Sequence, residues 1–166
     1  MHVKFITYLK FLSKSTNQHG VHSPFVFNYV TKCLYSEQKK HSNKSINILL
    51  KSNDYFNFDR IKVLGSPSLD GEVKKMFQNQ NQSKDSIDVL YTEKLNLLLV
   101  EEILKQDRLH NDSMILIDSI YQSPKKHQAW KKLITSPKIT VSMDLFHCGV
   151  LFIRKEQEKE HFIIRI

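Results

Sequence analysis

Ser113–Lys155 (SMILIDSIYQSPKKHQAWKKLITSPKITVSMDLFHCGVLFIRK) restricts the fold more than any other stretch of the chain. Met114–Ile117 is an unbroken apolar run closed by Asp118, the pattern of a strand covered on both faces. Ser123-Pro124 follows as a helix cap and first helical residue, because proline lacks an N–H that this position could not use. Ala129, Trp130 and Leu133 continue as an apolar stripe, with Trp130 read as core, until Ser136-Pro137 stops the helix. Ile139–Phe146 and Val150–Ile153 read as strands, and the His147-Cys148-Gly149 turn between them is short enough to demand an antiparallel pair. A parallel α/β unit closed by an antiparallel hairpin is therefore expected at this end.

Upstream, the apolar spacing predicts alternating elements. Ile46–Leu50, Ile61–Leu64 and Ile87–Tyr91 read as strands, with Asn53–Asp59 and Asn79–Lys84 as loops. Pro67–Gln78 reads as a helix with Asp70 and Glu72 near its positive end, and Leu95–Leu109 as a second. Phe162–Ile166 reads as a short edge strand. Repeated β-α crossovers of one hand build a parallel sheet with helices on both faces, and function in such sheets gathers at the carboxyl ends of the strands.

Two helices are expected ahead of this core. Val3–Ser13 places Phe5, Ile6, Leu9 and Leu12 at helical intervals among Lys4, Lys10 and Lys14, an amphipathic pattern whose apolar face is expected to pack on the chain's own domain. Ser23-Pro24 then launches a helix over Pro24–Glu37. His19 and His22, three apart in the loop between, have the spacing to share a metal; no third ligand lies nearby in sequence, and a packing role is expected. With 166 residues the chain reads as a single domain, 1–166, divided into an N-terminal helical segment, 1–37, and an α/β core, 46–166.

Charge narrows the classes of partner. Residues 1–60 hold nine cations against three acids, net +6, whereas 61–166 hold 16 against 14, net +2. A basic N-terminal third suits nucleic acid, acidic lipid or an acidic protein, but no aromatic-plus-basic recognition motif accompanies it, so nucleic acid is not the expected partner. No apolar run reaches the ~20 residues of a membrane span. Cys33 and Cys148 are far apart and lack a metal-like spacing, which fits free thiols in a reducing cytoplasm.

Asn17–Phe27 (NQHGVHSPFVF), Ile87–Glu93 (IDVLYTE) and the block from Met114 to the terminal RKEQEKEHFIIRI resemble a group of bacterial class I S-adenosylmethionine-dependent methyltransferases of the O-methyltransferase-like kind. The resemblance implies a Rossmann-like sheet whose last hairpin strand is antiparallel. It also implies where the cofactor would lie, and there the chain departs from the pattern. Ile46–Asn53, aligned with the first strand, has neither the glycine turn nor the acid, and Lys51 and Ser52 stand in the cradle. Leu64 stands where an acid would accept the ribose hydroxyls; Glu93-Lys94 replaces an aspartate-glycine corner; a helix and a strand are missing. Asp118 alone matches an expected acid, with Tyr121 beside it as a candidate base. Asp118 and Glu93 are also the weak candidates for a divalent metal, and His147 for a second base.

The expected protein is thus a trimmed methyltransferase-like domain that has lost cofactor and catalysis and acts through its surface. Self-pairing, or pairing with an intact relative through an exposed sheet edge, is its expected mode. Two alternatives stand beside it: an active methyltransferase with a divergent site using Glu93 and Asp118, and a basic binder of nucleic acid or anionic surfaces.

Overall fold

The computed structural model describes residues 2–65, 67–77 and 86–166, without the side chains of residues 2–4, 72, 74 and 76. Helix α1 (His2–Lys14) is followed by a 3₁₀ turn (Gln18–Gly20) and by α2 (Pro24–Tyr29), which loosens into a π-helical turn over Val30–Leu34. Ser23 caps α2 as its sequence demands: the Val26 N–H donates to the Ser23 hydroxyl, and Pro24 occupies the first turn.

The largest departure from expectation comes next. Ile46–Leu50 is not a strand but the interior of α3 (Lys44–Phe56). Asn43 starts it by accepting the N–H groups of Ser45 at 2.9 Å and Ile46 at 3.1 Å. Ile46, Leu49 and Ser52 then recur at helical intervals on the buried side, and Asn57 ends the helix in the left-handed region at φ 56°. A five-residue apolar run fits either period, and here the cap decides it.

The first strand is therefore β1 (Ile61–Leu64), followed by α4 (Pro67–Met76), β2 (Ile87–Thr92), α5 (Leu97–Lys105), β3 (Leu109–Asp118), α6 (Pro124–Ile134), β4 (Val141–Asp144), β5 (Cys148–Phe152) and β6 (Glu160–Ile163). The loop expected over Asn79–Lys84 lies outside the described residues. Helix α5 is shorter than expected because Asn96 caps it and Leu109 already belongs to β3.

The sheet runs β1-β2-β3-β5-β4-β6. β1, β2 and β3 are parallel, β5 runs antiparallel between β3 and β4, and β6 lies parallel to β4 at the far edge. The hairpin and the edge strand are as expected, though the turn falls on Leu145–His147 and Cys148 begins β5.

Alternation along the strands divides the core. Val89, Tyr91, Met114, Leu116, Val150 and Phe152 face α2, α3 and α4, forming one continuous apolar cluster with the N-terminal segment. Leu90, Ile115, Ile117 and Leu151 face α5 and α6. The chain steps from β1 to β2 to β3 in one direction, yet α4 packs on the first face and α5 on the second. Two parallel crossovers stepping the same way can share a hand only if their helices share a face, so these two have opposite hands. Parallel crossovers are right-handed in about 98% of cases, which makes this pair an exception to the uniform hand the sequence predicts.

Candidate functional site

The point where the covering helices change face lies between β1 and β2, and in open α/β sheets ligands enter outside the strand ends at such a point. β1 delivers Leu64-Gly65 there, β2 delivers Thr92-Glu93, and β3 delivers Asp118-Ser119 beside them.

Lys126, on the first turns of α6, reaches over the ends of β2 and β3, beside this notch. It is only 8% exposed, and its ammonium donates to the Glu93 carbonyl at 2.6 Å and to Gln122 Oε1 at 3.1 Å. Burial pulls its pKa down, against the opposing pull of the Asp118 and Glu93 carboxylates. Glu93 itself has a buried Oε2 without a hydrogen-bond partner. A side chain at Gly65 would crowd both walls, since an added Cβ would lie 3.1 Å from Leu69 Cδ2 and 3.4 Å from Glu93 Oε2. Ile46–Asn53 has no glycine, and the glycine that ends the first strand is Gly65.

Asp118 is brought to the same edge but is already engaged. Its Oδ1 accepts a short hydrogen bond from Ser45 Oγ, at the start of α3, and an ordinary one from Ser119 Oγ at 3.0 Å. Ser119 adopts φ 47° and donates its N–H to the His147 carbonyl at 2.7 Å, which ties the end of β3 to the hairpin turn. His147 Nε2 lies 2.8 Å from Lys44 Nζ, and burial followed by that ammonium lowers its pKa.

Tyr121 turns away from Asp118 and donates to Asp144 Oδ2 at 2.5 Å, while Asp144 Oδ1 accepts the Phe146 N–H at 2.8 Å. Burial raises the Asp144 carboxyl, and burial together with that carboxylate raises the Tyr121 phenol, so Tyr121 is a poor base near neutral pH. Its ring stacks on His127 with centroids 4.5 Å apart. These groups open onto a groove of about 1080 Å³ between α6 and α1, which reaches the ends of β3 and β4 at Ser119 and Asp144.

Lys51 and Ser52 leave the site entirely. Lys51 Nζ donates to the carbonyls of Leu34 at 3.2 Å and Ser36 at 2.5 Å, and buried Ser52 donates to Ile48 O at 2.7 Å within α3. Leu64 is half-buried against the α5–α6 cluster. The Glu93 and Asp118 carboxylates both act on the Lys126 ammonium, and no group of three metal-type side chains converges among the described residues. Both cysteines are free and buried, with burial pushing the Cys33 thiol up to about 12 and Cys148 higher still.

Sequence reading missed Lys126, Ser45 and Gly65. Lys126 meets Glu93 across 33 residues and Ser45 meets Asp118 across 73, so only the fold joins them. Compared with protein-family models, curated proteins and solved structures, the chain matches none.

Proposed function

We propose that the chain is a shortened, Rossmann-like methyltransferase scaffold that does not hold S-adenosylmethionine and works as a non-catalytic interaction protein. The observation that supports this reading is Lys126: a buried ammonium bonded to the Glu93 carbonyl lies over the ends of β2 and β3, beside the notch that a nucleoside would enter. On this reading the residues do not fit the cofactor, because a nucleoside reaching Glu93 would displace Lys126 and leave that carbonyl unpaired.

Two features of the fold support the same reading. In the common order of such sheets, further strands lie on the outer side of the first strand; here β1 pairs with β2 alone among the described residues and is an edge. The element that would carry a ribose-binding acid then has no counterpart among the described residues. Excising those strands would also leave α4 on one face and α5 on the other, with the opposed crossover hands described above. The free edge of β1 offers self-pairing, or pairing with an intact relative, by strand addition. Two buried free thiols suit a reducing cytoplasm.

One observation favours a second reading. The unpartnered Glu93 Oε2 is a buried acceptor awaiting a donor, as a ribose hydroxyl or a divalent metal would provide. Titration calorimetry with S-adenosylmethionine and S-adenosylhomocysteine separates the two. No saturable heat is expected; a Kd in the micromolar range would install the enzyme reading instead.

A further inference from the structure

Helix α1 is held on one side and bare on the other. Phe11 is 4% exposed and packs its ring 5.3 Å from Phe146, with Tyr8 4.8 Å from the same ring. At its far end Thr16 bridges to Ile164 and fixes the helix to the sheet edge. The opposite face presents Phe5, Ile6 and Leu9 at 61%, 52% and 48% exposure. The apolar face expected to pack on its own domain instead looks outward.

Charge on α1 is of one sign, and the one carboxylate lining the groove beside it, Asp144, is already engaged by Tyr121 and the Phe146 N–H. No Asp or Glu occurs before Glu37, and Lys4, Lys10, Lys14 and Lys32 precede it. Lys10 and Lys14 line one margin of α1 along the groove, and Lys131 of α6 faces them across it. All three are exposed and have no carboxylate partner among the described residues. His127 shares the groove, with a buried Nδ1 that has no hydrogen-bond partner.

We propose that α1 and the adjoining basic groove dock on an anionic lipid surface. Phe5, Ile6 and Leu9 enter the headgroup–acyl boundary, and Lys10, Lys14 and Lys131 receive headgroup phosphates. An apolar helix face with lysines at its margin is the chemistry of an interfacial helix, and the two parts reinforce one another because neither alone binds firmly. A second copy of the chain is a poorer occupant: stacking two such faces sets acid-free, lysine-bearing helices against each other. The inference stands independently of whether the strand-end notch binds a cofactor.

The test is co-sedimentation of the full chain with vesicles of phosphatidylcholine alone, and of phosphatidylcholine with one part in three phosphatidylglycerol. Binding is expected only to the anionic vesicles, weakening about tenfold or more as salt rises from about 0.1 M to 0.5 M. Phe5→Ser with Leu9→Ser, and separately Lys10→Glu with Lys131→Glu, should each reduce it at least about tenfold. Far-ultraviolet dichroism checks that both variants, which alter exposed positions, still fold. Equal binding to neutral vesicles, or none to anionic ones, overturns the proposal. So does a wild-type dimer in sedimentation velocity that Phe5→Ser with Leu9→Ser dissolves, which would give the face to a second copy. Complete displacement by millimolar glycerol 3-phosphate would assign the groove to a free anion and likewise overturn it.

Discussion

The Lys126 ammonium lies 2.6 Å from the Glu93 carbonyl oxygen, closing the gap between the ends of β2 and β3 with a charge that is almost wholly out of water. Burying an ammonium costs several kcal/mol, which its two hydrogen bonds partly offset. Lys126→Met, one atom shorter and uncharged, leaves the Glu93 carbonyl and Gln122 Oε1 without their donor and should cost about 1–3 kcal/mol. Urea unfolding at neutral pH checks this. The pH dependence carries a sign as well. Because the folded-state pKa of Lys126 is lowered, the unfolded chain holds this proton more tightly, and stability should rise as pH climbs from the lowered value towards about 10.4. The methionine variant should lack that component of the rise.

Asp88 anchors the opposite end of the sheet. One oxygen accepts the N–H groups of Asp59 and Arg60, each at 2.9 Å; the other accepts the Arg60 guanidinium at 2.6 Å and His110 Nε2 at 2.7 Å. Burial alone would raise this carboxyl, but the hydrogen bonds, led by Arg60 and His110, overcome it and hold the pKa at about 2. A lowered carboxylate contributes stability that is complete above its ordinary value of 3.8 and is lost as pH falls through about 2. Acid titration of unfolding should show a loss of about 2 kcal/mol over that window. Asp88→Asn should remove this dependence and cost about 2–3 kcal/mol at neutral pH, since Arg60 loses its charged partner.

Gly149 and Gly71 make opposite predictions for the same substitution. A Cβ at Gly149 would fall 2.5 Å from Trp130 Cζ3, and Trp130 is 1% exposed with little room to yield. Gly149→Ala should cost about 3 kcal/mol by overpacking, a fall of roughly 6–12 °C in Tm. At Gly71, on the outer side of α4, a Cβ meets nothing within 4 Å. Gly71→Ala should raise stability by about 0.5–1 kcal/mol through helix propensity. Thermal melts of the two variants against the parent check both signs.

The C-terminal half of the fold was readable because each of its elements carries its own boundary. Ser123-Pro124 starts α6, and the hairpin turn leaves no room for a crossover before β5. Ile46–Leu50 reads as a strand because a short apolar run holds no period of its own, and the helix signals lie just outside it in Asn43 and Asn57. With that segment helical, Lys51 and Ser52 bond within the helical layer, and Gly65 is the residue at the first strand's end. Asp118 and Glu93 were correctly sent to neighbouring strand ends, because strand termini are set by local pattern. Their partners were not readable, because Lys126 and Ser45 arrive by packing of distant helices.

The proposal that the strand-end notch is closed to a nucleoside is tested most directly by backbone amide spectra of the isotope-labelled protein titrated with S-adenosylhomocysteine. The amides of Gly65, Glu93, Asp118 and Lys126 should stay in place up to about 1 mM ligand, a concentration at which any site worth about 4 kcal/mol or more would be at least half filled. Saturable shifts clustered on those four residues would contradict the account and return the chain to the enzymes.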